Sequence, residues 1–475
     1  MSDRYGELEQ LPPNWKLMIF SESVDNISTV GKKIKQRDYL PDGKFPIIDQ
    51  GIELIGGYTD DESCVVECEL PVIVFGDHTK VVKFINQRFA PGADGVKVLK
   101  PHNYFDPKLF FYFTQILARQ IVDKGYARHY QYLSKSHIPL PPIDEQRRIV
   151  AKIEELFSQL DAGVAALEAA RAQLKRYRQA LLKAAFEGRL TEEWRRAHAG
   201  ELEDADALLA RIRAEREARA QAQLRAWEQA VRAWEAAGRP GKKPRKPRKP
   251  KDLPPLTEEE RAALPELPGG WAWVRLGNIA GIVGGVTKGR KLDDKKTIKL
   301  PYLRVANVQD GYLDLTVVKE IEVLPEDFEK YRLLPGDILY TEGGDKDKLG
   351  RGTVWDGQIE NCIHQNHIFR ARVSKEFFNP KYVALFSQTQ VAKQYFFKRG
   401  KQTTNLASIN LTVLSNLPLP LIPKIEQNQV ISVLETHLSS IDYLNQTIEQ
   451  ALARATALRQ AILKRAFEGR LVASS

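Results

Sequence analysis

RQALLKAAFEGRL, residues 178–190, returns as RQAILKRAFEGRL at residues 459–471, identical at eleven of thirteen positions with an offset of 281. The same offset, without a gap, lays Pro139-Leu140-Pro141-Pro142 and Glu145-Gln146 on Pro420-Leu421-Ile422-Pro423 and Glu426-Gln427. A repeat of this length marks a duplicated unit, a globular segment followed by a long helix. Each helix starts after a proline-rich stop and ends at a glycine, Gly188 or Gly469. Glycine is a common terminator because it enters the left-handed conformation without a Cβ penalty.

An apolar seam at heptad spacing runs through both helices. In the first it is Ile149, Ile153, Leu156, Leu160, Gly163, Leu167, Ala170, Leu174, Tyr177, Leu181 and Ala184. In the second it is Val430, Leu434, His437, Ile441, Leu444, Ile448, Ala451, Ala455, Leu458, Ile462 and Arg465. Only Gly163, His437 and Arg465 interrupt it. Sustained spacing of this kind predicts a coiled coil, each helix being the obvious partner of the other. At 1.5 Å per residue, some 40 residues reach about 60 Å. The pairing could be parallel or antiparallel, since the connection of about 75 residues between Thr191 and Glu266 permits either.

The segments before the helices are mixed α+β. In residues 1–137, CVVECELPVIVF (64–75) and KVVKFI (80–85) predict strands and LFFYFTQILARQIVDKG (109–125) a helix. In residues 267–418, TIKLPYLRVANV (297–308), DILYTE (337–342) and CIHQNHIFRARV (362–373) predict strands, and PKYVALFSQTQVAKQYFF (380–397) a helix. Leu11-Pro12-Pro13-Asn14-Trp15 and Leu267-Pro268-Gly269-Gly270-Trp271 open the two segments alike, but identity between them is otherwise weak. The expected domains are therefore 1–137 and 267–418, the helices 138–190 and 419–475, and an insert at 191–266 with a helical run at 204–237.

The net charge of +10 is concentrated: RPGKKPRKPRKPK, residues 239–251, carries eight basic groups and no acid. Its prolines exclude helix and central strand. It is either a flexible arm attracted to phosphates or a solvated spacer. The polar N-terminus lacks the pattern of a signal peptide, no apolar run approaches a membrane span, and three cysteines suggest a reducing compartment. Cys64 and Cys68 have no second pair to complete a metal set.

Two variable segments, each closed by a near-identical EQ…AFEGRL helix, resemble the specificity subunit of type I restriction–modification enzymes. FPIIDQGIELIGGYTDDE (45–62), LPVIVFGDHTKVVKFI (70–85), LPGGWAWVRLGNIA (267–280), YLRVANVQDGYLDL (302–315) and LPGDILYTEGGDKDKLGRG (334–352) carry the same resemblance. It implies two target-recognition domains, each reading one half of a split site in double-stranded DNA, with the helices pairing antiparallel as a spacer. It further implies a cytoplasmic, non-catalytic chain. Two methyltransferase subunits would dock on it and bind S-adenosylmethionine, and motor-nuclease restriction subunits would join through them. A related methyltransferase–nuclease system, or a coiled-coil scaffold without a DNA role, are the alternatives.

Phosphate contacts need cations, hydroxyls and amides, while base readout favours arginine on guanine and amides on adenine. The first domain offers Lys32, Lys33, Lys35 and Arg37, then His78, Thr79 and Lys80 in a turn between strands, then Arg128 and Tyr130. The second offers Arg290 and Lys291 after a glycine-rich run, Lys346, Lys348 and Arg351 in a long polar loop, and Gln402, Thr403 and Asn405. Phe186 and Phe467 in the repeated AFEGRL either cap the coiled coil or meet a partner subunit. Enzyme motifs are missing. Asn379-Pro380-Lys381-Tyr382 is not the Asn/Asp-Pro-Pro-Tyr/Phe of an adenine methyltransferase, and residues 281–288 lack phosphate-loop spacing. His364 and His367 are read as strand residues facing DNA, and Asp337 and Glu342 lack a nuclease's spacing.

Overall fold

The computed structural model describes residues 11–473, except 94, 123–126, 248–251, 290–291, 293–295, 345–348 and 403–406. They fall into two units, Met1–Arg171 with Gln446–Ser475, and Ala172–Asn445. Each unit therefore combines one globular segment, the start of the helix that follows it, and the end of the other long helix.

In the first unit, Lys16–Ile19 pairs antiparallel with His137–Leu140, closing the globular segment as a ribbon. An antiparallel sheet has the order Val24–Ile27, Val96–Pro101, Val72–Gly76, Val82–Ile85. Val72–Gly76 is buried throughout, which explains its unbroken apolar run. A smaller sheet orders Gly57–Thr59, Phe45–Ile48 and Ala90–Pro91. The helix Pro107–Gln120 is capped by Asp106, whose carboxylate accepts from the amides of Lys108 and Leu109.

The second unit repeats this strand order despite the weak identity. Ala272–Arg275 pairs antiparallel with Pro418–Leu421. The four-stranded sheet is Ala280–Gly284, Ile368–Val373, Asp337–Thr341, Gly352–Trp355, and the three-stranded one is Lys319–Val323, Ile298–Leu303, Ile363–His364. The run 362–373 thus serves two sheets, broken at residues 365–367. The helix expected over 380–397 is also broken, into Pro380–Phe386 and Gln390–Arg399. Hydroxyls cause the break: Ser387 and Thr389 donate to the carbonyls of Ala384 and Phe386, and Thr389 accepts from the amide of Ala392 as the new N-cap. The run at 204–237 forms the helix Ala205–Ala236.

The long helices, Ile143–Phe186 and Lys424–Phe467, pair antiparallel within each unit. In the first, Arg459 pairs with Asp161 and lies 4.2 Å over the Phe157 ring, and Arg171 lies 3.9 Å from Glu449. In the second, Arg178 pairs with Asp442 at 3.2 Å. Ile153, Leu181, Leu434, Ile441, Ile448 and Ile462 are buried as expected, and Leu160, Leu167 and Leu174 are half-buried. The other half of the predicted seam moves by one residue in both helices. Phe157, Val164, Arg178 and Ala185 turn inward where Leu156, Gly163, Tyr177 and Ala184 were expected, and Leu438, Asn445, Leu452, Arg459 and Ala466 where His437, Leu444, Ala451, Leu458 and Arg465 were expected. Leu444 and Leu458 are accordingly 45% and 52% exposed. The shift replaces Gly163, His437 and Arg465 with Val164, Leu438 and Ala466, but it also brings in Arg178, Asn445 and Arg459, of which the two arginines pair with Asp442 and Asp161 on the opposite helix.

The repeated motifs are joints. Gln146 accepts from the amide of Asp106 at 2.6 Å and donates to the carbonyls of Tyr104 and Pro141 at 2.9 and 2.8 Å. Gln427 does the same with Asn379, Phe377 and Ile422 at 2.8, 3.0 and 2.9 Å. Each glutamine thus ties the capping residue of a domain helix to the start of the long helix that follows. The AFEGRL ends dock on the unit they reach. The Phe467 ring stands edge-on to Phe113 at 5.1 Å, and that of Phe186 lies 5.0 Å from Tyr382 and 5.3 Å from Phe386. Both phenylalanines are 4% exposed. The expectation that they meet a partner subunit therefore gives way to an internal contact. Gly188 and Gly469, at φ +75° and +68°, lie so close to Pro268 and Pro12 that a Cβ would sit 2.4 and 2.6 Å from those rings.

Candidate nucleic-acid interface

In the first unit the candidate turns are neighbours. The turn at 76–80 is held by Asp77, whose amide donates to the Gly95 carbonyl at 2.6 Å and whose carboxylate accepts from the Tyr130 amide at 2.7 Å. The Asp77 carbonyl accepts from the His129 amide at 2.8 Å and meets its ring Nδ1 at 3.0 Å. His78 Nδ1 lies 3.2 Å from the Ala127 carbonyl, and Lys80 Nζ donates to that of Ile121 at 3.4 Å. Thr79 donates to the Gln50 carbonyl at 2.7 Å, while the Gln50 side chain accepts from the His78 amide at 3.3 Å. Thus His78, Thr79, Lys80, Arg128 and Tyr130 do share one surface, with Arg128 and Thr79 exposed. Tyr130 is half-buried, and burial, then Asp77, raises its phenol; it acts more as an anchor for the loops than as a free contact.

The basic turn at 32–37 joins the same chain of loops. The Ile34 amide donates to the Pro91 carbonyl at 3.1 Å, and that of Gly92 to Ile48 at 2.8 Å. Gly92 is required here, since a Cβ would meet the Tyr39 hydroxyl at 2.4 Å and Asp49 at 2.5 Å. Lys32 is spent on the Val65 carbonyl at 2.6 Å and on Glu67 at 2.9 Å, and Arg37 lies 3.6 Å from Asp38. Lys33 and Lys35 are exposed. Lys83, 4% exposed, faces Asp49 at 3.4 Å. Burial lowers the Lys83 ammonium's pKa and Asp49 partly restores it.

The second unit brings its two polar loops into one small sheet, Gly343–Gly344, Ala407–Ser408, Lys401–Gln402. Arg290, Lys291, Lys346, Lys348, Thr403 and Asn405 lie outside the described residues. Arg351 is half-buried and donates to Gln309 at 2.8 Å. Glu342, beside this sheet, contacts His367. His367 is exposed in the turn, whereas His364 is 0% exposed and cannot face DNA. Burial, aided by Arg370, pushes the pKa of His364 down to about 4, so the ring is neutral. Asp337 is taken up by Arg372, which donates to both carboxylate oxygens at 2.6 and 2.7 Å, and is no catalytic carboxylate.

The loop-organising residues that sequence reasoning missed are Asp49, Gln50, Asp77 and Gln309. Asp49-Gln50-Gly51 and Gln309-Asp310-Gly311 each place a polar pair before a glycine, which was the available signal. Among the described residues, no group of three or more His, Cys, Asp or Glu could hold a metal ion, and no helix is long and apolar enough to cross a membrane.

Residues 268–454 match the type I restriction modification DNA specificity domain. The type I restriction enzyme EcoKI specificity subunit of Escherichia coli strain K12 is 24% identical over 71% of this chain and 58% of its own length. The chain thus spans about three-fifths of that relative. The EcoDI specificity subunit of Escherichia coli is 23% identical over 98% of this chain and 90% of its own length. A chain from a solved structure on complex assembly and conformational transition of the type I R-M system shares the fold. It superposes with a TM-score of 0.61 at 17% identity, covering 97% of this chain and 99% of its own.

Proposed function

We propose that this chain, like the type I restriction–modification specificity subunits it is similar to, is a specificity subunit that reads a split site in double-stranded DNA, one half with each globular domain. The long helices fix the spacing of the half-sites and dock two methyltransferase subunits, which bring S-adenosylmethionine and the chemistry. Restriction subunits join through these, in the cytoplasm. The chain itself is non-catalytic.

One observation carries this reading. The two domains share a strand order and the same glutamine joint, yet differ in what surrounds them: the loops at residues 31–39, 76–80 and 127–132 in one, and the small sheet Gly343–Gly344, Ala407–Ser408, Lys401–Gln402 in the other. A common frame with different polar loops suits two different half-sites contacted by the same kind of module. Exposed Lys35 and Arg128 serve phosphates or guanine edges, and the amide-bearing loops adenine.

The test is long-read sequencing of DNA modification in cells with and without this chain. A two-part methylated motif with unread central bases, present only with the chain, is the expected result. An unchanged set of modified motifs would refute the reading.

A further inference from the structure

Of the segment expected to be a flexible arm or spacer, the described residues 239–247 lie along a helix and are not themselves helical. The helix Ala205–Ala236 stops in a glycine cap: the amide of Gly238 donates to the Glu235 carbonyl at 3.1 Å and that of Arg239 to Trp234 at 2.8 Å. The chain then reverses and runs back along the helix. Trp234 Nε1 donates to the Pro240 carbonyl at 3.0 Å, and Trp227 Nε1 to that of Pro244 at 2.9 Å. The two indoles are seven residues apart, on one helix face. Arg239 lies 5.9 Å over Trp234, and Lys246 lies 5.4 Å over Trp227. The inner end is fixed to the second unit by buried Ala205, Leu208 and Ile212 and by Arg216, which reaches Asp252 at 3.3 Å.

This construction displays charge. Proline recurs at 244 and 247, favouring an extended polyproline conformation in which residues three apart share a face at about 9 Å spacing. Pro244 lies against the helix while Lys242, Lys243, Arg245 and Lys246 are exposed. Among the described residues no carboxylate pairs with these four cations. From Glu217 outward the helix buries no residue of its own, so the hairpin contributes nothing to the core.

We propose that this hairpin is a phosphate-binding element, a pre-ordered row of cations that grips the backbone of duplex DNA without regard to sequence. A buried or ion-paired strand would be spent on the fold; a free one would lose entropy on binding. Among the described residues, Lys242, Lys243, Arg245 and Lys246 are exposed and without a carboxylate partner, on a strand tied to the helix through Pro240 and Pro244. That the polyanion is duplex DNA rests on the specificity-subunit reading. The element is separate from the domain loops and adds affinity and salt dependence, not base choice.

The experiment uses the purified full chain and a labelled random-sequence duplex of about 30 base pairs, titrated between about 50 and 200 mM salt. Substituting Lys242→Gln, Lys243→Gln, Arg245→Gln and Lys246→Gln together should make the slope of log affinity against log salt shallower by about 3 to 4 and weaken binding at least about tenfold. Trp227→Leu with Trp234→Leu keeps the charges but frees the strand, and should give a smaller loss with the slope retained. An unchanged slope in the charge variant overturns the proposal. So does a Trp variant that binds like the parent, or a charge variant whose only defect is retention of a protein partner. The methylated motif in cells reports separately: a motif that stays unchanged in a charge variant with a reduced slope supports both readings. A motif missing with the parent chain itself, beside a reduced slope in the charge variant, removes the specificity reading and leaves the phosphate site standing.

Discussion

Gln146 and Gln427 show how much one side chain does in this chain. Each uses both amide hydrogens and the carbonyl oxygen on three backbone groups, and both are at most 1% exposed. Gln427→Leu strands one amide and two carbonyls in the interior, and should cost on the order of 3 kcal/mol or more by urea unfolding. Gln427→Glu should not rescue it, because a carboxylate cannot donate. Gln146→Leu should match it in the first unit, and a negligible loss in both would refute the joint. The repeat made these glutamines visible, but their role was not legible, since two of the three partners of each are main-chain atoms 40 to 50 residues away in sequence. The neighbouring glutamates are less alike. Glu426 accepts from Thr191, Arg195 and Trp271 at 2.8, 2.9 and 2.9 Å, whereas Glu145 has only Asn14 at 3.3 Å and one oxygen without a partner among the described residues.

The long helices teach a different lesson at the scale of the element. Their existence and glycine ends follow from periodicity and punctuation, and half of the seam does too, but the helices are shorter than the expected 138–190 and 419–475, because His137–Leu140 and Pro418–Leu421 are strands. The other half was misplaced by one residue because Leu156, Leu444 and Leu458 are apolar on either choice. The interruptions at Gly163, His437 and Arg465 were the clue that the phase should advance. The packing makes this measurable: Leu438, 8% exposed, is in the seam, and Leu444, 45% exposed, is beside it. Leu438→Ala should destabilise by about 2–5 kcal/mol and Leu444→Ala by less than about 1 kcal/mol. Equal losses in denaturant titrations would restore the original phase.

For the whole molecule, chain order and folding unit do not coincide. Residues 1–171 complete their core only with Ile462, Leu463, Ala466 and Phe467 from the far end of the sequence. The repeat supplies near-identical residues at 181–186, so a fragment of residues 1–190 contains both halves of the joint but cannot close it on itself. It should form a homodimer in which each copy lends its AFEGRL end to the other, read as a doubled mass by sedimentation. A folded monomer would contradict the account. The shared strand order of the two domains was hidden from the sequence for a physical reason. Buried strands accept many apolar residues of suitable volume, whereas the joints demand a particular amide and a particular glycine, and so stayed recognisable.

The glutamine joints touch nothing but main chain, so they place no condition on which side chains the attached domain carries. Any domain whose backbone arrives in the same place would be held as well as the present one. In evolutionary terms a crossover within the repeated coding stretches could exchange one globular segment for another while leaving these joints intact, provided that the newcomer also offers an aromatic seat for the AFEGRL phenylalanine, as Phe113 and Tyr382 do.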